Sequence, residues 1–230
     1  MSILRHIHRI PNLFISLGSL PRAYKKDTIP YFAQWESPEL IAAILTRQMD
    51  AKDDPCWADS GALSREEYAL WSHNICGMAC LKMILQDQGR IGTKTIKLAK
   101  ACMDHGGYVQ DGDAIGGLFY KGFKRFATRE LGASVSILKV LSMKRIMHEL
   151  AKGHYVITSV HPSIRDIEKE YTGKKGGHLV LITGYDRDAQ TITFHNPSGK
   201  HKHTQQHAEV SFDDFLKVFG EKGLSISFKS

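Results

Sequence analysis

The stretch Asn74-Ile75-Cys76-Gly77-Met78-Ala79-Cys80 places two of the chain's four cysteines four positions apart, just ahead of the apolar run Leu81-Lys82-Met83-Ile84-Leu85. Asn74 is a good capping residue and Gly89 a good terminator, so the spacing predicts a helix from about Ile75 to Gln88. Cys76 then stands at the mouth of the helix and Cys80 one turn inside it. Unpaired amides and the helix dipole favour a thiolate at the first position, while Gly77 leaves room for a substrate carbonyl. Three intervening residues fit neither a zinc pair nor a dithiol redox motif, both of which use two. Cys80 reads as core. Cys56, in a polar loop beside Trp57, and Cys102, on the apolar side of a helix, read as bystanders.

Working outward, Ser37-Pro38-Glu39 opens a helix through Leu40-Ile41-Ala42-Ala43-Ile44-Leu45, with Ser37 as its cap and Pro38 in its first turn. Ser64 with Glu67 gives a capping-box pattern for a short helix through Trp71, and Thr93 to His105 reads as another helix, stopped by Gly106-Gly107. Beyond a glycine-rich connection the pattern changes. Ala133 to Leu138 is a strand, Ser142 to Lys152 a helix closed by Gly153, and His154 to Val160 a buried strand. The runs Gly177–Asp186 and Thr191–Pro197, joined by a turn at Asp186-Arg187-Asp188, form a hairpin. A helix capped by Ser211 and the strand Leu224–Phe228 complete an α+β order, helices first and an antiparallel sheet after.

Composition narrows the function. The chain has 230 residues, enough to bury a full core without staples, so irregularly spaced cysteines imply free thiols and a reducing compartment, the cytoplasm. No signal peptide is read, because Pro11 interrupts the early apolar run, and no segment is long enough to span a bilayer. Of the net charge of +7, +4 lies in Arg5, Arg9, Arg22, Lys25, Lys26 and Asp27. Residues 1–27 are therefore expected to form a basic extension, with the domain over 28–230. Elsewhere charges of both signs alternate, which argues against a nucleic-acid partner.

A cysteine nucleophile needs an imidazole to take its proton and a third group to orient that imidazole. His178 begins one hairpin strand and Asn196 ends the other, so antiparallel pairing makes them neighbours. The order Cys76, His178, Asn196 suits a Cys-His-Asn triad. His73 is a rival base, but it would have to fold back to reach the thiol. His161 reads as a structural histidine at a turn. His195, His201, His203 and His207 lie in a lysine-rich stretch lacking the carboxylates of a metal site, which points to a solvated loop at the rim. The glycine pairs lack a phosphate-loop pattern, and neither metal nor cofactor is expected.

The segment around Cys76, the run Gly177–Asp186 and the phrase Phe194-His195-Asn196-Pro197 together resemble papain-like cysteine peptidases of the bacteriocin-processing, double-glycine-leader type. That family has a glutamine upstream of the cysteine, in a phrase matched here by Pro30-Tyr31-Phe32-Ala33-Gln34. The resemblance implies a papain-like α+β fold with a helix on an antiparallel sheet. It also implies a peptide or amide substrate hydrolysed through a thioester, and Gln34 as an oxyanion donor. Gln34 precedes Cys76 by 42 positions, a wider gap than in compact members. An acyltransferase and a catalytically silent peptide-binding domain are the alternatives on the same fold.

Overall fold

The computed structural model describes residues 18, 20–166 and 174–229. Strand β1 (Ala23–Lys25) is followed by the short helices α1 (Ile41–Leu45) and α2 (Arg65–Ser72), then by α3 (Cys76–Asp87) and α4 (Thr95–Asp104). Strands β2 (Gln110–Asp111) and β3 (Ala114–Ile115) form a small hairpin before α5 (Tyr120–Leu131), β4 (Ala133–Leu138), α6 (Met143–Ala151) and β5 (Tyr155–Val160). The chain ends with β6 (His178–Asp186), β7 (Thr191–His195), β8 (Ala208–Ser211), α7 (Phe212–Val218) and β9 (Phe219–Phe228).

Among the described residues, seven strands make one antiparallel sheet in the order β4-β9-β5-β6-β7-β8, and β1 pairs with β6 beyond the end of β5. Both faces of the sheet are covered. Leu179 and Leu181 of β6 pack with α2 to α5 on one side, whereas Val180 and Ile182 pack with α6 and α7 on the other. Two-sided burial explains why β6 reads as a continuous apolar run rather than an alternating one.

The central helix α3 is buried from Gly77 to Leu85. Its one charged residue there, Lys82, meets Glu36 at 3.2 Å, and Glu36 also accepts from Thr95 Oγ1 at 3.0 Å. Burial of this stretch drives the helix onto the sheet.

Several local expectations change. Asn74 does not cap α3: its N–H bonds Trp71 O at 2.9 Å and so belongs to the last turn of α2, and Ile75 takes the cap position without a side-chain bond. Ser37 does not cap either, because its hydroxyl donates to Asp54 Oδ1 at 2.6 Å. Gly77 is small for packing, since a Cβ there would meet Leu118 Cδ2 at 2.7 Å. Within the expected N-terminal extension, residues 23–25 pair with β6, and Lys26 meets Asp87 at 2.5 Å, so this part is tied to the domain. Residues 1–17 lie outside the described residues.

The segment between Gln34 and Cys76 is a helical excursion closed at its stem. Buried Asp54 accepts from Ser37 Oγ, from the Ser37 N–H at 3.2 Å, from the Cys56 N–H at 2.9 Å and from the Tyr68 hydroxyl. Tyr68 in turn accepts from the Glu36 N–H at 2.8 Å. A carboxylate with this many donors is well satisfied although buried, so the clamp fixes Glu36 and Ser37.

Candidate active site

At one end of the sheet a cleft of about 420 Å³ is lined by residues from both halves of the chain, Gln34, Cys76, His178 and Arg165 among them. Cys76 is the first residue of α3 and keeps part of its surface there. His178 is the first residue of β6 and follows Gly176 and Gly177. Their φ values of +81° and +101° belong to the region that favours glycine, so the turn that delivers the histidine depends on them.

Asn196 follows β7, and its Oδ1 lies 2.8 Å from His178 Nε2. Asn196 is itself held: Oδ1 accepts from the Ser198 N–H at 3.2 Å, and its carbonyl accepts from the Tyr31 hydroxyl at 3.0 Å. With Nε2 donating to Asn196, the imidazole presents Nδ1 as its free acceptor, and Nδ1 has no hydrogen-bond partner among the described residues. Cys76 and His178 share the cleft without a direct hydrogen bond between them.

Gln34 reaches the cleft despite the long gap. Its backbone N–H donates to Pro197 O at 2.7 Å, which ties it to the segment that carries Asn196. Its side chain is buried, and among the described residues neither Nε2 nor Oε1 has a hydrogen-bond partner. A buried primary amide without a bond is costly in a resting protein, and this one sits on the cleft wall.

The electrostatics differ from the sequence expectation. Burial pushes the Cys76 thiol up, and the Leu179 N–H, the Arg165 guanidinium and the Gly77 and Cys76 N–H groups oppose this without overcoming it. The expected thiolate gives way to a thiol because burial at the helix mouth disfavours the charged form. Burial, with Arg165 adding to it, pushes His178 down to about 3, against the hydrogen bond to Asn196. The resting pair is thiol and neutral imidazole.

Two further residues join the site: Ser198, which the sequence reading leaves out, and Arg165, which with Pro162 marks a turn leaving a buried strand. Ser198 Oγ lies 3.1 Å from His178 Nε2 and accepts from Arg165 Nε at 2.7 Å. Ser198 was accessible through register: Leu181 pairs with His195, and three further steps set His178 opposite Ser198. Arg165 ends a turn at Pro162–Arg165 that no local motif connects with the hairpin.

The other histidines separate. His73 lines the cleft, with its ring edge-on to Trp35 at 5.4 Å, but among the described residues no side-chain hydrogen bond orients it. His161 accepts from the Ser163 N–H at 3.3 Å and caps the turn. His195 departs from the expected loop: it is a buried β7 residue whose Nε2 meets Ile29 O at 2.9 Å and whose Nδ1 accepts from the His207 N–H at 3.0 Å. His201 and His203 stack on the surface with centroids 5.6 Å apart. Among the described residues no three potential metal ligands converge.

Burial also pushes His195 down to about 4. Both rings stay neutral in the fold where the unfolded chain would protonate them. Between about pH 6.5 and those lower values the unfolded state binds more protons, and stability falls as pH falls, by up to about 1.4 kcal/mol per pH unit for each ring. Urea midpoints measured from pH 7 to pH 4.5 are expected to drop steadily, and less steeply in His178→Asn. A flat midpoint would contradict the burial argument.

A cysteine on a buried helix and a histidine on an antiparallel strand in one cleft, with an asparagine just after the next strand bonded to that histidine, define the papain-like class of α+β domain. The chain belongs to the Peptidase_C39 like family, whose family model matches residues 27–223. Among solved structures it is similar to a Bacillus anthracis protein described as a C39-like peptidase, with TM-score 0.55 and 15% identity over 90% of this chain and 98% of that one. It is also similar to the peptidase domain of Streptococcus ComA, a bi-functional ABC transporter involved in a quorum sensing pathway, with TM-score 0.45 and 12% identity over 68% of this chain and 93% of that one. No curated protein matches it. Family and fold support a cysteine-peptidase type of function. No helix among the described residues is long and apolar enough to cross a membrane.

Proposed function

We propose that the protein is a cysteine peptidase or amide hydrolase working through a thioester, with Cys76 as nucleophile, His178 as general base and acid, Asn196 as orienter and Gln34 as oxyanion donor. The observation that carries this reading is the 2.8 Å contact of His178 Nε2 with Asn196 Oδ1, which leaves Nδ1 free beside the cleft that holds Cys76. Rotation of the thiol toward Nδ1 transfers its proton to the imidazole as the sulfur adds to the scissile carbonyl. The carbonyl electron pair moves to oxygen, where the Gln34 amide and the Cys76 N–H receive it. Collapse expels the amine, which takes the proton from His178. Water, deprotonated by the same imidazole, then attacks the thioester, and Cys76 leaves as the thiol.

A neutral resting pair makes thiol activation depend on the histidine. An epoxysuccinyl peptide should label Cys76 at neutral pH, as mapped by mass spectrometry, and labelling should fall at least 100-fold in His178→Ala. Equal labelling with and without the imidazole would favour a silent peptide-binding domain. The four cysteines are free thiols, which supports a cytoplasmic location.

A further inference from the structure

We infer that the cleft selects substrates bearing a carboxylate close to the scissile bond, through Arg165 and Lys222. This inference rests on the hydrolase reading and adds a substrate class to it.

Among the described residues, the lining of the cleft contains two basic side chains, Arg165 and Lys222, and no aspartate or glutamate. Arg165 spends its Nε on Ser198 Oγ, and among the described residues it makes no ion pair with a carboxylate. Lys222 is exposed and likewise makes no ion pair among them. The acids adjacent in sequence are already engaged: Asp166 meets Lys200 at 3.4 Å, and Glu221 meets Lys175 at 3.5 Å. Near His73 the closest such group, Asp50, accepts from the Lys52 N–H and pairs with Lys52. The site therefore offers basic side chains from two elements, the turn after β5 and strand β9, with no carboxylate in the cleft lining among the described residues. A guanidinium on a concave, partly desolvated wall is suited to a carboxylate, and a flexible lysine at the rim adds attraction for the approaching anion.

The test uses two alkylating reagents of similar size. Iodoacetate and iodoacetamide both form an S–C bond at Cys76, expel iodide and release the thiol proton, but only iodoacetate is an anion. The ratio of the two rates at Cys76, divided by the same ratio for a neutral blocked cysteine, should be roughly tenfold above one at low salt and fall with added salt. It should drop toward one in Lys222→Glu and in Arg165→Gln. Because each rate ratio cancels changes in thiol activation, a loss of imidazole support in Arg165→Gln does not imitate the effect. A normalised ratio at or below one in the unaltered protein overturns the proposal, as does a ratio unchanged in both variants. Failure of both reagents to alkylate Cys76 removes the hydrolase reading and the proposal with it. Digestion of matched peptides, with Glu against Gln inside the chain and free acids against amides at its end, then distinguishes a side-chain carboxylate from a terminal one. Cleavage indifferent to both changes overturns the proposal.

Discussion

Cys76→Ala and His178→Ala are each expected to lower kcat/KM on a susceptible peptide by about 10⁴ or more, and the double variant is expected to lose no more than either alone. The reason is the protonation state of the resting site. With the thiol pushed up and the imidazole pushed down by burial, neither group is useful without the other. Asn196→Ala should cost less, because Ser198 Oγ still lies 3.1 Å from Nε2 and retains part of the orientation. Initial rates on a peptide pool, followed by quantitative mass spectrometry, would measure all four proteins. Multiplicative losses in the double variant would show that thiol and imidazole act separately, and the triad would fail.

The second large effect has two readouts of opposite sign. Gln34→Leu is expected to reduce kcat by about 10²–10³, the usual loss when one oxyanion donor is removed. The same substitution should stabilise the folded protein by about 1–3 kcal/mol, since a buried amide with no partner at either atom is replaced by an apolar side chain of similar size. Denaturant unfolding and turnover measured on one preparation would test both. Lower stability together with full turnover would make Gln34 a structural residue, leaving the Cys76 N–H without a side-chain partner at the oxyanion.

Much of the fold was legible because its signals are local or depend only on antiparallel pairing. The helix after Cys76, the hairpin of β6 and β7, and the neighbourhood of His178 and Asn196 all follow from period, turn residues and register. Features set by distant packing were not legible. The Cys76 thiol rises because the folded chain buries the helix mouth, and burial of that kind is set by elements far away in sequence. Asn74 looks like a cap until the tight junction with α2 claims its backbone. His195 reads as part of a basic loop because its neighbours after Pro197 are polar, yet β7 carries it into the interior between Ile29 and His207. Pro162 and Arg165 signal a turn leaving a buried strand, but only the packing of Ser198 shows that this turn lies against the hairpin.

The closed stem at Asp54 bears on how such sites tolerate change. Once Ser37, Cys56 and Tyr68 converge on that carboxylate, the chain between Gln34 and Cys76 becomes a loop of fixed span and free length. Each doubling of such a loop adds only about 0.6 kcal/mol of closure entropy, less than one good bond to a buried charge returns. Sequence distance between Gln34 and Cys76 is therefore nearly neutral in free energy. A motif that fixes that distance would pass over this chain while its cleft stays intact.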